Sequence, residues 1–69
     1  MKKQLDKLNK IKEGFEEKIS QREDVFYDRT DKWQESDKGQ EYEEKTQELQ
    51  EVVDNLEMTI DSLETYLGI

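Results

Sequence analysis

Residues 30–42 read TDKWQESDKGQEY. The chain's single tryptophan, Trp33, sits here among charged and amide side chains. From Gln34 to Glu41 nothing is apolar, and Gly39 lies inside that gap. Asp37 followed three residues later by Gln40 has the form of a capping box, in which two side chains satisfy the free N–H groups of a new helix. Ser36 is an equally good N-cap. The stretch therefore reads as a turn over about residues 35–40, with a helix starting near 40. The sequence on either side decides whether the chain reverses there.

On the N-terminal side the apolar positions run Leu8, Ile11, Phe15, Ile19, Phe26 and Trp33, with Arg22 and Thr30 filling the two remaining places at steps of 3, 4, 4, 3, 4, 4 and 3. This eleven-residue repeat matches the 3.67 residues per turn of a nearly straight helix. Leu5 extends the stripe by one turn, and the stems of Arg22 and Thr30 can still cover apolar surface. On the C-terminal side the stripe is Tyr42, Thr46, Leu49, Val53, Leu56, Ile60, Leu63 and Leu67, at steps alternating 4 and 3. That is a heptad, with Thr46, Val53, Ile60 and Leu67 at a and Tyr42, Leu49, Leu56 and Leu63 at d. The g positions Val52, Thr59 and Tyr66 widen this stripe beyond a two-stranded seam, and a broad apolar face suits a bundle.

The two stripes span about 29 and 26 residues, roughly 43 and 39 Å of helix. Matched lengths around a short turn predict an all-α antiparallel helical hairpin, with helices over about 3–35 and 40–67. The rival is one continuous helix of about 100 Å, since a glycine inside a helix costs only about 1 kcal/mol. A lone hairpin leaves much of both stripes uncovered. Two hairpins related by a twofold axis would bury them as a four-helix bundle. The oligomer core is then Leu8, Ile11, Phe15, Ile19 and Phe26 with Leu49, Val53, Leu56, Ile60 and Leu63.

Composition supports association. The chain has 69 residues, 30% of them hydrophobic and 43% charged, so a single copy buries little core. It has no Cys and no His, so neither disulfides nor the usual structural zinc ligands supplement that core. Low hydrophobicity with high charge is also the signature of disorder, but strict periodicity and mixed charge signs oppose it. No apolar run approaches a membrane span or a signal h-region, and the absence of Cys fits a reducing compartment. A cytoplasmic protein without membrane contact is expected.

Charge is divided unevenly. Residues 1–35 hold 9 Lys/Arg and 9 Asp/Glu, whereas residues 36–69 hold 2 Lys and 10 Asp/Glu, which accounts for the whole net charge of −8. Five lysines fall within residues 1–12 against Asp6 alone, and antiparallel packing lays them beside Asp61 and Glu64. On the second helix Glu41, Glu44, Glu48 and Glu51 form one row and Asp54, Glu57, Asp61 and Glu64 another. Such steps space carboxylates about 5–6 Å apart, near the spacing of phosphates along a nucleic-acid strand. Such a surface repels nucleic acid and fits a basic groove built to receive it. A merely solvated acidic face remains the plainer explanation.

Catalysis is not expected. The chain lacks a His base, a Cys nucleophile and a Gly-rich phosphate loop, and it has no EF-hand pattern. No catalytic, cofactor or metal residue is assigned. Trp33 opposite Tyr42 reads first as a plug closing the core at the turn, and second as an anchor for a partner. Tyr27, about 100° round the helix from Phe26, is the better candidate for an exposed contact.

Residues 33–42, WQESDKGQEY, preceded by Asp28-Arg29-Thr30-Asp31-Lys32, resemble a recurring segment of small phage and prophage helical proteins. The resemblance covers residues 28–42, and residues 1–25 have no part in it. It implies a phage-encoded accessory protein, of the kind that includes inhibitors of host defence such as anti-CRISPR and anti-restriction proteins. Two functions from different classes are thus expected. One is a non-catalytic inhibitor or adaptor that binds a host protein through Glu41, Glu44, Glu48 and Glu51, with Tyr27 and Trp33 as aromatic anchors. The other is a helical-bundle oligomerisation module whose only partner is itself.

Overall fold

The computed structural model describes residues 1–69 as three helices: α1 (Lys2–Asp28), α2 (Asp31–Glu35) and α3 (Asp37–Leu67). α1 and α3 run antiparallel along a molecule of 50 × 14 × 12 Å, joined by the short α2. The hairpin stands, and the continuous helix is excluded.

The turn differs from expectation in a specific way. The first helix does not run to residue 35; it ends at Asp28, where Arg29 and Thr30 take extended backbone. Thr30 is not a stripe residue but an N-cap, its hydroxyl accepting from the Trp33 N–H at 3.2 Å. Gln34 closes the other side of the break, its amide donating to the Phe26 carbonyl at 3.1 Å and the Arg29 carbonyl at 3.0 Å. Carbonyls at a helix C-terminus lack intrahelical partners; here the Phe26 carbonyl also accepts from the Arg29 N–H at 3.2 Å. A second cap follows six residues later. Ser36, not Asp37, caps α3: its hydroxyl accepts from the Gly39 N–H at 3.3 Å and donates to the Trp33 carbonyl. Asp37 and Asp31 each occupy a first helical turn, where a carboxylate meets the positive end of the helix dipole. The capping box of Asp37 with Gln40 is therefore not formed.

Gly39 explains how the reversal can be so tight. A Cβ there would lie 2.2 Å from the Trp33 carbonyl oxygen and 2.7 Å from that of Gln34. The first turn of α3 thus rests directly on the α2 backbone, and only glycine permits it. At the far end Gly68 adopts φ 76°, and the N–H groups of Gly68 and Ile69 return to the Thr65 and Glu64 carbonyls. This left-handed glycine ends α3.

The core is thin. Leu5, Ile19, Val53 and Ile60 are its buried apolar residues. Leu8, Phe15, Phe26, Leu49, Leu56, Leu63 and Leu67 are half-buried. Ile11, expected in the core, is 48% exposed in the single hairpin. At the turn end Trp33 packs edge-on between Phe26 and Tyr42, at centroid distances of 6.0 and 5.8 Å, with the Arg29 guanidinium 4.4 Å above its ring. Trp33 is the plug.

Candidate interaction surface

The register of the hairpin is fixed by a polar pair inside the seam. Arg22 Nε donates to Thr46 Oγ1 at 2.9 Å, and Nη2 donates to the Tyr42 carbonyl at 3.1 Å. The same guanidinium stacks 4.1 Å above the Tyr42 ring, a cation–π contact. The two polar interruptions, one in each stripe, therefore answer one another across the helices. Thr46 is buried and fully satisfied, since its hydroxyl also donates to the Tyr42 carbonyl. No buried side-chain polar atom lacks a partner.

The helical periods of α1 and α3 give the hairpin two unlike long faces. One is polar. It carries Glu16, Ser20 and Glu23 of α1 and Glu43, Gln50 and Glu57 of α3, which line its shallow grooves. Lys12 bridges the helices here, 3.8 Å from Glu57 and 3.9 Å from Glu16. Tyr27, 72% exposed, stands at the turn end of this face beside Glu23 and Glu43. The opposite face is apolar. Ile11 and Val25 of α1 flank it, with Val52 and Tyr66 of α3 opposite, all exposed. Between them run the half-buried Phe15, Leu49, Leu56 and Leu63.

The sequence-predicted contact residues are not gathered in one place. Trp33 is half-buried at the turn, and Tyr27 points to the polar face. Glu41, Glu44, Glu48 and Glu51 are all exposed. Glu44 and Glu51 face directly away from α1, while Glu41 and Glu48 border the apolar side. Met58, 67% exposed, continues the outward line of Glu44 and Glu51 at the same seven-residue step. None of these four glutamates lies in an ion pair, because the hairpin's two ion pairs both belong to Lys12. The lysines of residues 1–12 do reach the end occupied by Asp61 and Glu64, but the pair that forms is Lys12 with Glu57.

No group of three or more His, Cys, Asp or Glu side chains converges to hold a metal ion. No helix is long and apolar enough to cross a membrane. The largest hollow, of about 510 Å3, is an open depression beside Asp24, Val25, Tyr27 and Asp28. It offers a reactant no enclosure from water, which binding sites for small molecules ordinarily supply. Comparison of the chain with protein-family models, curated proteins and solved structures found no match.

The Arg22–Thr46 pair, Val25 and Met58 had no part in the sequence-based assignment. The pair carries a legible signal: once the turn is placed, the two polar breaks in the stripes fall at the same level. Val25 and Met58 are isolated apolar residues off the stripes, and no periodicity marks them.

Proposed function

We propose that this chain is a non-catalytic protein–protein interaction protein that presents the outer side of α3 to a basic surface of its partner. The observation that carries this is the state of Glu41, Glu44, Glu48 and Glu51. All four are exposed and none forms an ion pair within its own chain, although Lys45 lies one turn from Glu41 and Glu48 and leaves Glu44 and Glu51 the barest of the row. Carboxylates at this spacing on a stiff rod steer toward clustered Lys and Arg and hold register against them. Met58 adds an adaptable apolar contact at the end of the row, and Tyr27 supplies an aromatic one on the adjoining face.

A basic groove that normally receives nucleic acid is the surface such a row fits best. The resemblance of residues 28–42 to small phage and prophage helical proteins supports placing that partner in a host cell. The chain would then act in the host cytoplasm as an inhibitor or adaptor of the anti-defence type. Direct binding to nucleic acid is opposed by the net charge of −8.

The test is capture from host lysate on the immobilised protein, repeated with the triple variant E44K/E48K/E51K. We expect one nucleic-acid-handling protein to be retained, released by high salt and by competing duplex DNA. The triple variant should remain helical and retain none of it. Equal retention by the triple variant would refute the acidic-face mechanism.

A further inference from the structure

The apolar face of the hairpin is a second unpartnered surface, separate from the acidic row. We propose that a second copy of this chain covers it, running the opposite way, so that the turn of each copy lies beside the lysine-rich chain ends of the other.

Three observations select a second copy as the occupant. First, the hairpin buries only Leu5, Ile19, Val53 and Ile60 of its apolar residues, less than a domain of this size needs to stand alone. Second, the half-buried residues lie to one side. Phe15, Leu49, Leu56 and Leu63 open onto the face bordered by Ile11 and Val52, so one covering layer would complete both stripes at once. Third, the area is adequate. A face of 50 by 14 Å offers about 700 Å2 per copy, and twice that falls within the roughly 1,200–2,000 Å2 of stable interfaces. A face that meets its own copy across a twofold axis must be self-complementary, and an apolar strip of Leu, Ile, Val and Phe side chains meets that condition.

Charge then fixes the direction. Residues 1–15 and 53–69 form the open-end half and carry a net −1, whereas residues 16–52 form the turn half and carry −7. At the open end, from Lys12 and Glu57 outward, five lysines narrowly outnumber Asp6, Glu57, Asp61 and Glu64. If the turns lay together, two strongly acidic halves would sit side by side. The reversed arrangement sets each acidic turn against the other copy's lysines. The turns-together rival allows pairings such as Lys18 or Lys45 of one copy with Glu48 of the other, and exposed pairs of this kind contribute little each. In the reversed bundle α3 keeps Glu44 and Glu51 on its outer side, so the two copies would display two acidic rows.

The chain has no cysteine, so a single introduced one reports the arrangement cleanly. Lys32 is exposed in α2 at the turn. We would spin-label Lys32→Cys in the full-length protein and measure the label-to-label distance by pulsed dipolar spectroscopy, with circular dichroism to confirm unchanged helicity. The proposal expects one distance near the 50 Å length of the hairpin. Mixing this protein with copies labelled at Lys3→Cys should add a short distance, within roughly 20 Å, about two helix spacings. A turn-to-turn distance of roughly 20 Å, alone or mixed with the long one, would overturn the reversed orientation. Absence of any intermolecular distance would overturn the second copy. Neither result bears on the acidic row, which the lysate capture tests separately.

Discussion

Replacing Gly39 by alanine puts the turn to a quantitative test. Judged by helix propensity alone, Gly39→Ala should stabilise α3 by up to about 1 kcal/mol. The structure predicts the reverse. The new methyl would sit 2.2 Å from the Trp33 carbonyl oxygen and 2.7 Å from that of Gln34, about 1.1 and 0.6 Å inside the roughly 3.3 Å at which carbon and carbonyl oxygen settle. Both obstacles are backbone, so relief requires α2 to move away from α3. That movement also strains the Ser36 cap and separates Trp33 from Tyr42. Overpacking of this kind costs about 1–3 kcal/mol, and a weakened cap about 1 kcal/mol more. Less the propensity gain, the net loss is about 1–3 kcal/mol, a fall of roughly 5–20 °C in Tm for a domain of this size.

The assay is thermal unfolding by circular dichroism at fixed protein concentration, because association makes Tm concentration-dependent. Gly14→Ala is the matched control: its Cβ would meet nothing within 4 Å, so it should raise stability by up to about 1 kcal/mol. Scattering adds a second readout. The hairpin has a radius of gyration of 15.7 Å, whereas a chain straightened into one helix of about 100 Å would give roughly 30 Å. Gly39→Ala at least as stable as wild type, with compact scattering, would refute the close approach of α2 and α3.

Two further outcomes follow from the same contacts. In a double-mutant cycle by urea unfolding, Arg22→Ala should cost about 1–3 kcal/mol and Thr46→Val about 1 kcal/mol. The two losses should not add, since Arg22 Nε and Thr46 Oγ1 bond to each other; strict additivity would deny the pair its coupling. Thr30→Ala and Ser36→Ala should each lose about 1 kcal/mol as N-caps. Asp37→Ala should cost less than Ser36→Ala, and the opposite order would restore Asp37 as the cap.

The two long helices were legible because each carries a sustained apolar period, and their antiparallel packing followed from matched lengths. The break at Arg29–Thr30 was not, because Thr30 falls at a stripe position and the period passes through it unchanged. Its alternative signal was a hydroxyl residue followed by aspartate, repeated as Thr30-Asp31 and Ser36-Asp37. Side-chain capping and the Gln34 amide outweigh the period over this short span, where few apolar contacts reward a longer α1. Gly39 looked like a loop residue by composition, yet its role is steric and depends on the position of α2, which no local pattern encodes. The exposed side of the apolar face was foreshadowed at Val52 and Tyr66, the g positions of the heptad. The carboxylate row was legible as a row, but its lack of ion pairs emerges only once α1 is seen to pack on the opposite side of α3.

In the proposed arrangement a second copy closes one apolar face of the hairpin while the carboxylate side of α3 stays open to a partner. Sedimentation equilibrium of the wild-type chain at micromolar concentration addresses it most directly. We predict a mass twice the 8.3 kDa of the chain, returning toward 8.3 kDa in the variant Val52→Asp. A wild-type mass of 8.3 kDa at every concentration, with full helicity, would contradict it.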